Sequence, residues 1–254
     1  MIPIEMKTLF GKLNPLCLKT LSEAVGLCNA RRNDYVEITH WLVKLLEAPD
    51  SDLTRLAKQY NVDPSKLLRE LNRAIDQLRR YVEVLQVWNR KLALVASDDP
   101  TVVLQKHVAD SLFAAAHCSG SGAVVDLGSG AGFPGLVIAI VHPTARVTLV
   151  EARGKKVSFL EEACRAAGIR NAEPIHGRIE TVATESRHRA AYEVVTSRAL
   201  ADLDVLQALA KPFAREKGRL LAMRAAMAPA PAEAARFDYT LPDGTPRTLL
   251  SIDL

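Results

Sequence analysis

Paired cysteines, membrane-length apolar runs and a strong excess of either charge are all missing from this 254-residue chain. Its four cysteines (Cys17, Cys28, Cys118 and Cys164) are scattered, with no C-x-x-C pair. That pattern excludes a disulfide scaffold or a cysteine-based zinc framework and reads as small apolar side chains in a reducing compartment. No apolar stretch reaches the roughly 20 residues that a membrane helix needs, and the first residues lack the basic-then-apolar pattern of a secretory signal. The expectation is a soluble, cytoplasmic protein. With 33 basic and 29 acidic residues the net charge is +4, which permits a nucleic-acid partner without demanding one. No G-x-x-x-x-G-K-S/T phosphate loop occurs. What is present is an ordinary globular composition, 48% hydrophobic and 24% charged, on a length that suits one large domain or two modest ones.

Residues 1–80 read as helices throughout. Asn14-Pro15 opens one through Cys28, Thr39 caps His40–Glu47, and Asp50 or Ser51 caps a segment to Tyr60. Asp63-Pro64 opens a longer one, in which Leu67, Leu71, Leu78, Tyr81, Leu85 and Trp88 hold one apolar face. That period does not break between Leu78 and Trp88. A boundary between a helical segment (1–80) and a following domain (81–254) is therefore expected inside a helix.

The rest alternates strand and helix. Strands are expected at Ala123–Leu127, Arg146–Val150, Ala172–His176, Tyr192–Thr196 and Gly218–Met223, with helices at Leu136–Val141, Lys155–Ala167 and from Asp202 to Phe213. Ala226–Ala235 reads as a linker, and Phe237–Leu241, Pro242-Asp243-Gly244-Thr245-Pro246 and Thr248–Ile252 as a β-hairpin. The predicted fold is α/β: a mostly parallel, Rossmann-like sheet closed by an antiparallel hairpin and preceded by a small all-α segment. His107 and Asp110 are three residues apart on a helix and share a face. They suit either a functional pair near a cofactor or a capping or salt-linked surface pair.

The chemistry concentrates at residues 123–135. An apolar run ends at Asp126-Leu127, and Gly128, Gly130, Gly132 and Gly135 follow before the next helix. Strand, glycine turn and helix in that order let backbone N–H groups approach a nucleotide-like ligand. Two cofactor readings compete. Gly130-Ala131-Gly132-Phe133-Pro134-Gly135 fits the G-x-G-x-x-G fingerprint of a dinucleotide site, and Glu151 lies about where that site places an acid on ribose hydroxyls. A nicotinamide oxidoreductase, however, lacks here a residue placed to move a proton beside a hydride. Asp126, two residues before the first glycine and expected at the mouth of the site, would repel a pyrophosphate. It suits instead the ammonium and sulfonium of S-adenosylmethionine, and the closing hairpin points the same way. These features favour the methyl donor.

Two resemblances bear on this. Leu9–Asn14, Tyr35–Leu42 and Asn61–Leu68 resemble the N-terminal domain of Clp-type unfoldases, most closely the type VI secretion member, with about the first of its two repeats present. That likeness implies a peptide or adaptor partner for residues 1–80 and, as a rival reading, a binding module whose second half is degenerate. Residues 81–254 resemble the RsmG (GidB) family of ribosomal RNA guanine-N7 methyltransferases. The likeness is carried by Trp88-Asn89-Arg90-Lys91, Lys106-His107, Asp110-Ser111-Leu112, Val125–Gly135, Val150-Glu151-Ala152, Arg178-Ile179-Glu180 and Ser197-Arg198-Ala199. It departs at Leu92–Val95 and at Arg224-Ala225. The resemblance implies S-adenosylmethionine held by Gly128, Phe133, Ile179, Glu180 and Arg198. It also implies a guanine in the 530 loop of 16S rRNA, within the small ribosomal subunit, as target. N7 carries a lone pair and no proton, so methylating it calls for alignment rather than a general base. Arg198 is the expected positioning group. Arg153, Lys155, Lys156 and Arg178 are either phosphate contacts or a solvated basic face. No metal is expected.

Overall fold

The computed structural model describes residues 14–30, 38–118, 120, 122–198, 200–226 and 229–254. The chain divides into two compact units, Met1–Arg73 and Ala74–Leu254. No described helix is long and apolar enough to cross a membrane.

The first unit holds α1 (Pro15–Ala30), α2 (Ile38–Glu47), α3 (Asp52–Gln59) and the opening turns of α4 (Pro64–Leu92). Asn14 Oδ1 accepts from the Cys17 amide at 2.8 Å, as an N-cap before proline should. Thr20, Ala24 and Cys28 form the buried stripe of α1 at spacing four. Trp41 Nε1 donates to Thr20 Oγ1 at 3.0 Å and ties α2 to it. Helix α2 begins at Ile38, so Thr39 lies inside it rather than capping it; threonine is tolerated in a helix interior at small cost. Ser51 is the cap of α3, accepting from the Thr54 amide at 3.0 Å. Of the stretches that resemble the Clp domain, Leu9–Leu13 and Tyr35–Glu37 lie outside the described residues.

The unit boundary falls inside α4 at Arg73/Ala74, earlier than the 80/81 boundary expected, because Ala74 and Leu78 already pack with Tyr81 and Leu85 in the core of the second unit. After α4 come a short α5 (Pro100–Val102), a π-helical stretch (Val103–Val108) and α6 (Ala109–Ala116). The sheet then builds from β1 (Ala123–Leu127), β2 (Arg146–Glu151), β3 (Ala172–His176), β4 (Tyr192–Arg198), β5 (Ala214–Ala225), β6 (Ala235–Thr240) and β7 (Pro246–Asp253). Helices α7 (Gly135–Val141), α8 (Gly154–Ala167), α9 (Ile179–Val182) and α10 (Leu203–Ala210) connect its parallel strands.

The strand order is β3-β2-β1-β4-β5-β7-β6, with β7 antiparallel to both β5 and β6. All five residues of β1 are buried, which is why this central parallel strand reads as a continuous apolar run. Its side chains alternate between two cores. Val124 packs with Val194, Leu221, Leu136 and Phe159; Val125 packs with Val195, Leu220, Phe213 and Leu206.

The later strands are longer than expected. β5 starts at Ala214 instead of Gly218, and α10 ends at Ala210 instead of reaching Phe213. The extra strand residues pair Ala214 with Tyr192 across a register shift, an irregularity no periodic pattern announces. β6 likewise starts at Ala235, inside the expected linker, because its first residue already pairs with Ser251. On one side of β1 the strands run back through β2 to β3, and on the other forward through β4 to β5. The sheet therefore has its topological switch point beyond the carboxyl ends of β1 and β4, where open α/β sheets bind ligands.

Candidate active site

At that switch point the chain leaves β1 through Gly128, Gly130 and Gly132, with φ of 72°, 54° and 90°. Val150 O, near the end of β2, accepts from the amides of Gly128 and Ser129 at 2.9 and 3.1 Å. From α4, the buried Tyr81 donates its hydroxyl to Ala131 O at 2.5 Å. Burial raises the Tyr81 phenol well above its ordinary value, so it remains a donor. Glycine is required most plainly at two positions. A Cβ on Gly132 would lie 2.5 Å from Leu136 Cδ1 on top of its positive φ, and one on Gly135 would overlap Leu149 and stand 2.7 Å from Asp126 Oδ2.

The turn borders a cavity of about 570 Å³, within the range of small-molecule sites. Around it the structure gathers most of the expected site residues: Gly128, Gly130 and Phe133 from the turn; Glu151, Arg153 and Lys156 after β2; Arg178, Ile179 and Glu180 after β3; and Arg198 at the end of β4. Gly132, Lys155 and Asp126 do not line it. Lys155 points to solvent, and Gly132 serves the turn. Sequence reasoning missed two apolar lining residues, Leu94 and Leu200, whose loops carry no motif.

Glu151 sits where an acid should. Its Oε2 accepts from the Gly130 amide and its Oε1 from the Arg153 amide, both at 2.9 Å. Each carboxylate oxygen keeps a second lone pair for a ligand hydroxyl. Asp126, by contrast, is not at the mouth. It is fully buried beneath the turn, with Oδ2 accepting from the Gly135 amide at 3.1 Å and Oδ1 without a hydrogen-bond partner. The reason is strand alternation, which turns Asp126 to the same face as Val124, under α7. Burial pushes its carboxyl up to about 7, with Ser129 and the Gly135 amide opposing.

On the far side of the cavity Arg198 is held by three groups from elsewhere in the chain. Its Nη1 donates to His107 Nδ1 at 2.9 Å and stands 3.8 Å from Asp110 Oδ2, while its Cζ lies 5.1 Å from the centre of the Phe133 ring. The His107 ring is itself 5.3 Å from that of Phe133. Asp110 is almost wholly buried; its Oδ1 accepts from the Tyr239 hydroxyl at 2.5 Å, and Arg247 Nε stands 3.8 Å from its Oδ2. Burial raises the Asp110 carboxyl, and the Tyr239 hydroxyl and the two guanidiniums pull it back. His107 is pushed down to about 4, first by burial and then by Arg198, Arg247 and Lys106. The spacing of His107 and Asp110 thus marks neither a cap nor a surface pair, since both reach Arg198. His107 lies within the π-helical stretch, which ends two residues before Asp110, and such widening is common at functional sites.

A parallel sheet with this strand order, an antiparallel closing hairpin and a glycine turn beside an acid on β2 is the Rossmann-like fold of class I methyltransferases. The family model of GidB, rRNA small subunit methyltransferase G, matches residues 74–252, and the chain belongs to that family. Curated relatives named ribosomal RNA small subunit methyltransferase G include one from Chloroflexus aggregans, 44% identical over 147 residues, covering 58% of this chain and 62% of that protein. One from Roseiflexus sp. is 40% identical over 156 residues, covering 61% and 67%. One from Streptococcus gordonii is 32% identical over 198 residues, covering 72% and 84%. The chain thus spans about 62% of the length of the first of these. Residues 1–73 lie outside the family match.

Proposed function

We propose that this protein transfers a methyl group from S-adenosylmethionine to N7 of a guanine in the 530 loop of 16S rRNA. The observation that carries the reading is the meeting of the glycine turn, Glu151, Arg178-Ile179-Glu180 and Arg198 around one cavity. The relatives' activity-bearing name supports ribosomal RNA as substrate. The residues fit the donor. Glu151 offers two fixed acceptor oxygens to vicinal ribose hydroxyls, Ile179 and Phe133 offer apolar faces, and Glu180 stands in the first turn of α9, beyond β3, where a base edge would lie.

S-adenosylmethionine, when bound, supplies an electrophilic methyl group on a sulfonium. The chain's own task is to place a nucleophile in line with it, which is worth several kcal/mol of barrier through orientation alone. Guanine N7 needs no deprotonation. The nearest imidazole, His107, has its free lone pair turned to Arg198 and is no base for the target. Arg198, fixed on one side by His107 and Asp110 and stacked over Phe133, orients what enters the cavity. Arg153, Lys156 and Arg178 border the cavity and Lys155 stands exposed beside them, a basic edge that suits RNA phosphates.

The test is methyl transfer from labelled donor to small subunits that lack the modification, with the product mapped by borohydride–aniline cleavage at N7-methylguanine. Wild-type protein labels one guanine in the 530 loop, and Arg198→Ala lowers turnover by about a hundredfold. Label at another atom or in another RNA overturns the substrate. Calorimetry with NAD in place of S-adenosylmethionine tests the donor: tight binding of NAD with none of the methyl donor overturns it.

A further inference from the structure

The network behind Arg198 has a member that donor binding leaves unused. His107 Nδ1 faces a guanidinium, which has donors only, so Nδ1 is the bare nitrogen and the ring proton sits on Nε2. Nε2 makes no hydrogen bond to a described residue, and it is not sealed from solvent. The ring lies beside Phe133 and Arg198, two residues that line the cavity. His107 does not itself line the cavity, but its ring adjoins two residues that do, so an N–H donor without a partner among the described residues stands next to the site.

We propose that His107 reads the target base, donating from Nε2 to O6 of the guanine whose N7 is methylated, with Arg198 and Asp110 holding it in that tautomer. This rests on the function proposed above. Guanine presents N7 and O6 side by side as acceptors, whereas adenine carries an amino donor where guanine has O6. A donor aimed at O6 leaves N7 free and meets adenine donor to donor, so it selects the right purine without covering the reacting atom. An uncharged donor is the suitable kind. The base becomes cationic as N7 accepts its methyl group, and a second full charge beside it would oppose that step. Asp110 contributes indirectly. Braced by Tyr239 and Arg247, it keeps Arg198 turned toward Nδ1, which makes it a positioning residue.

The experiment uses small subunits reconstituted with 16S rRNA carrying guanine or 2-aminopurine at the target position; 2-aminopurine retains N7 and lacks O6. Wild-type protein prefers guanine about tenfold or more, the loss expected when a fixed donor has no acceptor. His107→Phe keeps a ring against Phe133 and, assayed at saturating S-adenosylmethionine, brings that preference close to one; saturation keeps any loosening of Arg198 in the donor site out of the comparison. His107→Gln, which retains an N–H donor, restores part of the preference. An undiminished preference for guanine in His107→Phe overturns the proposal. So does an equal fall in rate on both RNAs, since His107 would then act only through Arg198. A wild-type protein that binds the donor but methylates no guanine N7 overturns the functional reading, and this inference with it.

Discussion

The two walls of the cavity are made from different kinds of sequence. The wall of β1, β2 and their turns is local: Gly130 and Glu151 are 21 positions apart and joined by a hydrogen bond from the Gly130 amide to the Glu151 carboxylate. The wall around Arg198 is assembled from far apart, with His107 and Arg198 separated by 91 positions and Asp110 and Tyr239 by 129. The first wall is mostly backbone and tolerates no added volume. The second is side chains of both charges, half or wholly buried, each needing its partner. Steric precision therefore guards the near wall, and charge compensation guards the far one.

This contrast can be broken in steps, taken from the largest effect to the smallest. Gly135→Val drives branched carbons into Leu149 and Asp126, and it should abolish donor binding and lower Tm by about 5 °C or more. Thermal melts and calorimetry check it; an unchanged melt would mean that the near wall has slack. Glu151→Ala leaves the Gly130 and Arg153 amides without their acceptor. Donor affinity should fall about tenfold to a hundredfold by calorimetry, with a smaller change in Tm.

Asp126→Asn sharpens the comparison through pH. The folded-state value of about 7 lies above the ordinary carboxylate value, so between roughly pH 4 and 7 the folded protein binds the extra proton. Stability from this group is full below that window and falls as pH rises through it. The amide variant titrates nothing, so it should gain on wild type steadily from pH 4 to 7 in paired melts; a constant difference would show that Asp126 keeps an ordinary value. The smallest effect belongs to Tyr239→Phe on the far wall. It removes one hydrogen bond to Asp110, costs about 1 kcal/mol, and should lower turnover a few-fold while donor affinity stays put.

Legibility follows the same division. Ala123–Leu127, the glycine turn and Glu151 are readable because strand, turn and acid are neighbours in sequence and each obeys a local rule. Arg178-Ile179-Glu180 and Arg198 stand out mainly through family likeness, and they fall at or past strand ends where the topology collects them. Asp126 shows what spacing misses: position along a strand is plain, but whether a side chain ends above or below the turn depends on the pleat. His107 and Asp110 were visible as a pair with two meanings, and only the arrival of Arg198 separates them. Tyr239 and Arg247 carried no signal, since a hairpin written by its turn residues says nothing of what its side chains brace. The fusion of α4 across two units was signalled by its unbroken apolar face, though the boundary itself was not.

The order in which the sheet is made has a consequence for synthesis. Strands β1 to β5, the glycine turn and Glu151 all precede β6 and β7 in the chain, so a nascent polypeptide can close the near wall first. Asp110 must wait for Tyr239 and Arg247, the partners that the last hairpin brings. A product cut short before residue 235 would keep the complete near wall and leave Arg198 without that brace. The full brace behind Arg198 is thus something the chain acquires only with its final strands.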